Sequence, residues 1–127
     1  TGILAIAACM LGGSATLAVD INFLSVQTAL KNARLNRLNE KIICVQGPAE
    51  NVVDYPADFM IANIHYEVMK QILNSRGFYQ KKRFLLSGLL KSQAIAVKDQ
   101  LLQQKNVELI RTWDQNGIWY TFLGENH

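Results

Sequence analysis

Residues 15–33 read ATLAVDINFLSVQTALKNA. The first seven, 15–21, form a short apolar run closed by an acid, the pattern of a parallel strand buried on both faces. Apolar residues then return at Phe23, Val26, Leu30 and Ala33, a helical spacing that predicts a helix before the loop around 36–39. A strand feeding into a helix is the unit of α/β proteins, and the alternation continues downstream. KIICVQ (41–46) is a second strand, stopped by Gly47 and Pro48, and DFMIANI (58–64) is a third. Val68, Met69, Ile72 and Leu73 mark one face of a helix, and RFLLSGLL (83–90) is a fourth strand. Ser92 is placed to cap another helix whose apolar face includes Ala94, Val97 and Leu101. VELIRTW and IWYTFL close the chain as two strands joined through Asn116-Gly117, with Trp113 and Trp119 expected to pack across the hairpin. The expectation is a single α/β domain over 1–127, its sheet mostly parallel with an antiparallel hairpin at the end.

Upstream of that stretch no charged residue occurs from Thr1 to Val19. Three features set this apart from an anchor or a signal sequence: no initiator Met, no basic segment before the apolar run, and a break at Gly12, Gly13 and Ser14. The reading is an internal segment, with residues 3–11 forming a short helix, apolar nearly all round and buried on most sides, that ends at the two glycines. No membrane association is expected. Composition agrees: 127 residues, 50% hydrophobic and 18% charged, suit one globular domain and exclude collagen-like, disordered and multidomain chains. Thirteen basic against ten acidic residues leave a net charge of +3, too small and too scattered for a nucleic-acid footprint, so direct nucleic-acid binding is not expected. The one basic run, Lys81, Lys82 and Arg83, reads as a solvated entry to the apolar stretch after it, with phosphate or RNA contact as the secondary reading. Cys9 and Cys44 lie in apolar runs and read as buried reduced thiols, which points to a reducing, cytoplasmic compartment. With His65 and His127 they match no zinc-ligand spacing, so no metal site is expected.

In open α/β sheets ligands bind beyond the carboxyl ends of the strands. That rule nominates Gly2, Asp20, the loop Gly47–Glu50, Asn63 and Ser87. Gly2 opens a helix where a ligand can approach the backbone, and Asp20, at the end of the next strand, can accept hydrogen bonds from ribose hydroxyls. A nucleoside-containing cofactor fits this pair, and NAD and S-adenosylmethionine both satisfy it. The terminal strand-turn-strand, which a doubly wound dehydrogenase half does not need, and the residues after the strand at 58–64 tilt the choice.

TGILAIAA (1–8) resembles the end of the glycine-rich first motif of class I S-adenosylmethionine-dependent methyltransferases, and AVDINFLSVQTALKNARLN (18–36) resembles the acid-bearing second strand and its helix. DFMIANI (58–64) and LLSGLLKSQ (85–93) are similar to the bacterial ribosomal protein L-eleven methyltransferases. The resemblance runs along essentially the whole chain, in four blocks in the right order. It implies a Rossmann-like methyltransferase sheet in which the family's first, central strand, its earlier glycines and its substrate-recruiting domain would precede Thr1. That strand would lie between those at 15–21 and 58–64. By the same resemblance Thr1 and Gly2 cradle the methionine part of S-adenosylmethionine, Asp20 holds the ribose hydroxyls, Ile21 flanks the adenine, and Asn63 lines the methyl-transfer end as the catalytic residue. The implied reaction is methyl transfer to an amino group of a protein, a lysine or the N-terminal amine of a ribosomal protein. After Asn63 the family continues with Leu and small residues, whereas this chain has Ile64, His65, Tyr66 and Glu67.

Each of these residues also has a plainer reading. Asp20 is a common turn residue, Asn63 can cap the next helix, His65 reads as an ordinary helix-start histidine, and Ser87-Gly88 lacks the G-x-S-x-G spacing of a nucleophile elbow. Two other functions stay open at this level: a nucleotide-binding oxidoreductase domain, and a non-catalytic methyltransferase remnant that keeps the fold for partner binding.

Overall fold

A computed structural model describes residues 1–127. The chain forms two compact units, 1–51 and 52–127. In the first, α1 (Ile3–Met10), β1 (Thr16–Asp20), α2 (Phe23–Leu35) and β2 (Ile42–Gln46) follow in turn, with one 3-10 turn at Ala49–Asn51. β1 and β2 are parallel, from Thr16 opposite Ile42 to Asp20 opposite Gln46. α1 ends at the glycine pair: Gly12 adopts φ +119°, and the Gly13 amide donates to the Ala8 carbonyl at 2.9 Å. Cys9, Ala33 and Ile42 form the buried centre, flanked by Ala5, Ile6, Ala18, Leu38 and Cys44. Both thiols are free, and partial burial pushes the Cys44 thiol up from its ordinary value.

Four expectations for this unit need correction. β1 is not buried on both faces, with no fully buried residue and Leu17 40% exposed, because in this unit it pairs on one side only, with β2, and Cys44 is half-buried rather than buried. α1 is not buried on most sides: only Cys9 is buried, while Ile3, Met10 and Leu11 are 69, 65 and 88% exposed. The unit covers α1 only along the side that meets Ala33 and Ile42. On α2 the buried stripe is Val26, Ala29 and Ala33, and Phe23, a full turn before the stripe begins, is exposed.

The second unit contains β3 (Phe59–Asn63), α3 (Tyr66–Leu73), a four-residue α4 (Arg76–Tyr79), β4 (Arg83–Leu90), α5 (Lys91–Leu102), β5 (Val107–Gln115) and β6 (Trp119–Asn126). Its sheet has the order β3-β4-β6-β5, parallel between β3 and β4 and antiparallel on both sides of β6. The expected hairpin is present, turned at Asn116 and Gly117, whose φ values of +54° and +68° are those of a primed turn. Its last strand, however, does not lie at the edge. β6 inserts between β4 and β5, so β5 points the same way as β3 and β4. Burial explains the order: β6 places Phe122 and Gly124 in the interior, whereas β5 is exposed along most of its length and suits an edge. The two tryptophans are not cross-strand partners, because Trp113 lies opposite Thr121 and Trp119 opposite Gln115. β1 pairs only with β2 and β3 only with β4, as expected if strands 15–21 and 58–64 are not hydrogen-bonded neighbours.

α3 buries Met69, Ile72 and Leu73, and α5 buries Ala94, Val97 and Leu101 against β4, β6 and α3. Ser92 is not the cap of α5. β4 runs into the helix without a loop, and the exposed Leu90 amide donates instead to Gln93 Oε1 at 3.0 Å. No helix is long and apolar enough to cross a membrane.

The basic run is a solvated entry at Lys82 and Arg83 but not at Lys81. Lys82 pairs with Asp58 at 3.2 Å and Arg83 with Glu125 at 2.8 Å, both near the surface, but Lys81 is 4% exposed. Its Nζ donates to the carbonyls of Val53, Tyr55 (2.8 Å) and Gly77 (3.0 Å), three donors for three acceptors. Burial lowers its pKa below 10.5, partly opposed by Asp54. Lys81→Met leaves three carbonyls without their donor, so urea unfolding of the 127-residue chain is expected to show a loss of about 1–3 kcal/mol. Because the folded state releases this proton first, the Lys81 contribution, wild type minus Lys81→Met, grows as pH rises from the lowered value towards 10.5. A difference that shrinks over that range would exclude the burial penalty.

Candidate functional site

The first unit brings its candidates to helix and strand ends. Gly2 caps α1 in the left-handed conformation, φ +77°, and has no side chain with which to occupy the first-turn amides. A Cβ there would sit 2.9 Å from the Ala29 Cβ, so both conformation and space restrict the position to glycine. The Thr1 carbonyl accepts from Asn32 Nδ2 at 2.9 Å, fastening the start of the chain to α2. Asp20 ends β1 with its side chain exposed. Its Oδ1 accepts from the Asn22 amide at 2.8 Å, and Asn22 in turn accepts from the Ser25 amide at 3.1 Å to cap α2. Asp20 is therefore a turn residue, and its other oxygen lies outside that turn. Next to it Ile21 is 71% exposed, an apolar surface against which a flat ring can lie. Glu50 sits in the 3-10 turn after β2, half-buried.

In the second unit Asn63 ends β3, exposed and in register with Ser87. It does not cap α3. His65 does, its Nδ1 accepting from the Glu67 amide at 3.4 Å, which is the helix-start role expected of it. The Asn63 amide is thereby left uncommitted to the helix. As a neutral group that both donates and accepts, it can orient an amine without holding the amine's proton in place. Ser87 is no free nucleophile, since its Oγ lies 2.7 Å from Thr121 Oγ1. Beside it Gly88 adopts φ +79°, and a Cβ there would overlap Asn63 Oδ1. The sequence reading missed Gly88, although an isolated glycine inside a strand is itself a signal of a bulge or a close approach.

Other polar groups in this unit are accounted for structurally. An open depression lined by Asp54, Pro56, Ala57, Asp58, Gln80 and Lys81 lies where β3 and β4 begin, at the end of the strands opposite to Asn63. Glu108 and Glu125 face each other across β5 and β6, with His127 hydrogen-bonded to Glu108 at 3.0 Å and Arg83 paired with Glu125, a polar row along the sheet. Lys70 lies 2.8 Å from Glu67 and 5.0 Å from the Tyr66 ring centroid.

Over residues 1–127 the sequence matches the profile of the ribosomal protein L11 methyltransferase (PrmA) family. The chain belongs to that family. Ribosomal protein L11 methyltransferase of Geobacillus kaustophilus is 33% identical over 104 residues, and that of Acetivibrio thermocellus 32% identical over 127, matching 97% of this chain. The chain spans 33–39% of the length of these two relatives. A crystal structure of the ribosomal protein L11 methylase of Lactobacillus delbrueckii subsp. bulgaricus superposes with a TM-score of 0.84 at 26% identity, over 99% of this chain and 65% of that one. A human methyltransferase 10 domain containing protein shares the fold, with a TM-score of 0.75 at 20% identity over 98% of this chain and 65% of that one. The family assignment agrees with the α/β class expected from the alternation of strands and helices and with the Rossmann-like sheet that the resemblance implied.

At the glycine that opens this L11 methyltransferase segment, Gly2→Ala incurs left-handed strain of about 1–2 kcal/mol as well as the Ala29 clash. Hydrogen exchange of the α1 amides is expected to quicken. Adding Ala29→Gly restores part of the protection, since it removes the Cβ contact and leaves the strain. No response to Gly2→Ala would show that the start of α1 tolerates a side chain.

Proposed function

We propose that this chain is part of the catalytic domain of an S-adenosylmethionine-dependent methyltransferase acting on a protein amino group, a lysine or the N-terminal amine of a ribosomal protein. Family membership over the full chain carries the reading. The relatives are named for ribosomal protein L11, and that protein is the first acceptor to test. In this reading both compact units belong to one catalytic domain, at work in the cytoplasm, where Cys9 and Cys44 stay reduced.

The first unit fits such a cofactor. Thr1, exposed, and Gly2, half-buried, offer backbone at a helix start with no side-chain cap, suited to the methionine part. Asp20 keeps an oxygen beyond its turn for the ribose hydroxyls, and Ile21 gives the adenine an apolar neighbour. When bound, S-adenosylmethionine supplies a methyl group activated on a sulfonium. The protein's part is to align the acceptor and keep it uncharged. A lysine acceptor must shed a proton from a group with a pKa of about 10.4 in water, which desolvation favours. Asn63 suits this role, because its amide oxygen accepts from the neutral amine and carries no charge that would retain the proton.

Three measurements test the reading. S-adenosylhomocysteine is expected to raise the melting temperature of the protein at its full natural length, and NAD is not. The reverse would favour a nucleotide-binding oxidoreductase. Asp20→Ala is expected to weaken S-adenosylhomocysteine binding by about 1.5–3 kcal/mol without unfolding the protein, and unchanged affinity by calorimetry would remove Asp20 from the site. Asn63→Ala is expected to lower turnover more than it weakens that binding, because the lost contact acts mainly on the transition state. Equal losses would make Asn63 a cofactor-binding or structural residue.

A further inference from the structure

β4 departs from regular pairing beside Asn63. Its antiparallel register with β6 holds at Leu86 opposite Phe122 and resumes at Leu89 opposite Tyr120. Two β4 residues, Ser87 and Gly88, therefore face the single residue Thr121, which is a β-bulge. The Ser87 and Thr121 hydroxyls close it at 2.7 Å. On the other edge of β4 the parallel register places Asn63 opposite Ser87. Gly88 takes φ +79°, and the space its Cβ would fill is occupied by Asn63 Oδ1.

These two demands on Gly88 differ in kind. Positive φ alone admits asparagine or aspartate as well as glycine. The Asn63 oxygen stands in the way of any side chain, which can enter only by turning the amide aside. Bulges re-aim neighbouring side chains, and the terminal torsion of asparagine is soft, so the amide direction depends on what surrounds it. We propose that Gly88 is the positioning residue for Asn63: the bulge lays bare backbone beside the end of β3, the Asn63 amide seats over it, and the Ser87–Thr121 hydroxyl pair locks the bulge. The proposal rests on the reading of Asn63 as the residue that orients the methyl acceptor. Any side chain at 88 would turn the amide away and misalign the acceptor while leaving the cofactor residues Gly2 and Asp20 untouched.

A double-mutant cycle in the protein at its full natural length tests this. Gly88→Ala is expected to lower the melting temperature, and the drop is expected to shrink by about half or more in the Asn63→Ala background, where the overlapping oxygen is gone. Turnover with the ribosomal protein acceptor is expected to fall about tenfold or more in Gly88→Ala, with S-adenosylhomocysteine affinity held within about twofold. Thr121→Val, which opens the hydroxyl lock, is expected to reduce turnover in the same sense and by less. If Gly88→Ala does not fold, Gly88→Asn, whose backbone tolerates positive φ, carries the same cycle. An equal stability loss in both backgrounds would mean that glycine is retained only for its backbone, and the proposal falls. Turnover lost in Asn63→Ala but unchanged in Gly88→Ala overturns the positioning role alone. Turnover unchanged in Asn63→Ala overturns the reading of Asn63 and the proposal with it.

Discussion

Phe84 on β4 lies directly opposite Gly124 on β6, and its ring fills the space that a side chain at 124 would need. An aromatic ring laid across a strand glycine pins register, because sliding either strand by one residue would drive the ring into a Cβ. Much of the second unit depends on this contact. It fixes β6 against β4, which leaves the edge to β5. It also sets Phe84 5.0 Å from Phe78, and Phe78 meets Tyr79 edge-on at 4.9 Å, so the α4 corner is packed onto the same ring. Asn126, at the end of β6, adds a polar clamp by donating to the carbonyls of Phe78 and Lys81. Lys81 then closes the corner from within.

The two units are stabilised unequally. In the second, Phe78, Phe84 and Phe122 are essentially inaccessible together with leucines from β4 and α5, each worth about 1.5–3 kcal/mol on burial. In the first, the buried centre is Cys9, Ala33 and Ile42, and several large apolar residues of α1, β1 and β2 remain exposed. Elements with few buried apolar contacts open at lower cost. The residues assigned to the cofactor, Thr1, Gly2, Asp20 and Ile21, belong to the lightly packed unit, whereas Asn63 stands on the sheet that Phe84 and Gly124 organise. In the proposed function, acceptor orientation falls to the more heavily packed unit, as suits a group that must be held within a fraction of an ångström.

The sequence by itself determined the alternation of elements, because hydrophobic period is a local property: six strands and three helices, marked by the apolar residues within 23–33, 68–73 and 94–101, follow from spacing and from glycine and proline stops. It also determined Asp20 and Asn63 as strand-end residues and the primed turn at Asn116-Gly117, since turn chemistry is local too. Spacing alone did not reach the short helix at Arg76–Tyr79, which is too brief for any period to show. Only the tertiary structure decided the strand order, which depends on which apolar face meets which edge. It likewise gave three adjacent cations, Lys81, Lys82 and Arg83, three different fates: one buried among carbonyls, one paired with Asp58, one paired with Glu125. In the linear chain nothing distinguishes them, because all their partners but Gly77 lie 24 to 42 residues away. For the same reason Gly88 reads as a break in a strand until β3 and β6 are set on either side of it. Its meaning lies in what occupies the space it leaves empty, and that is a property of packing alone.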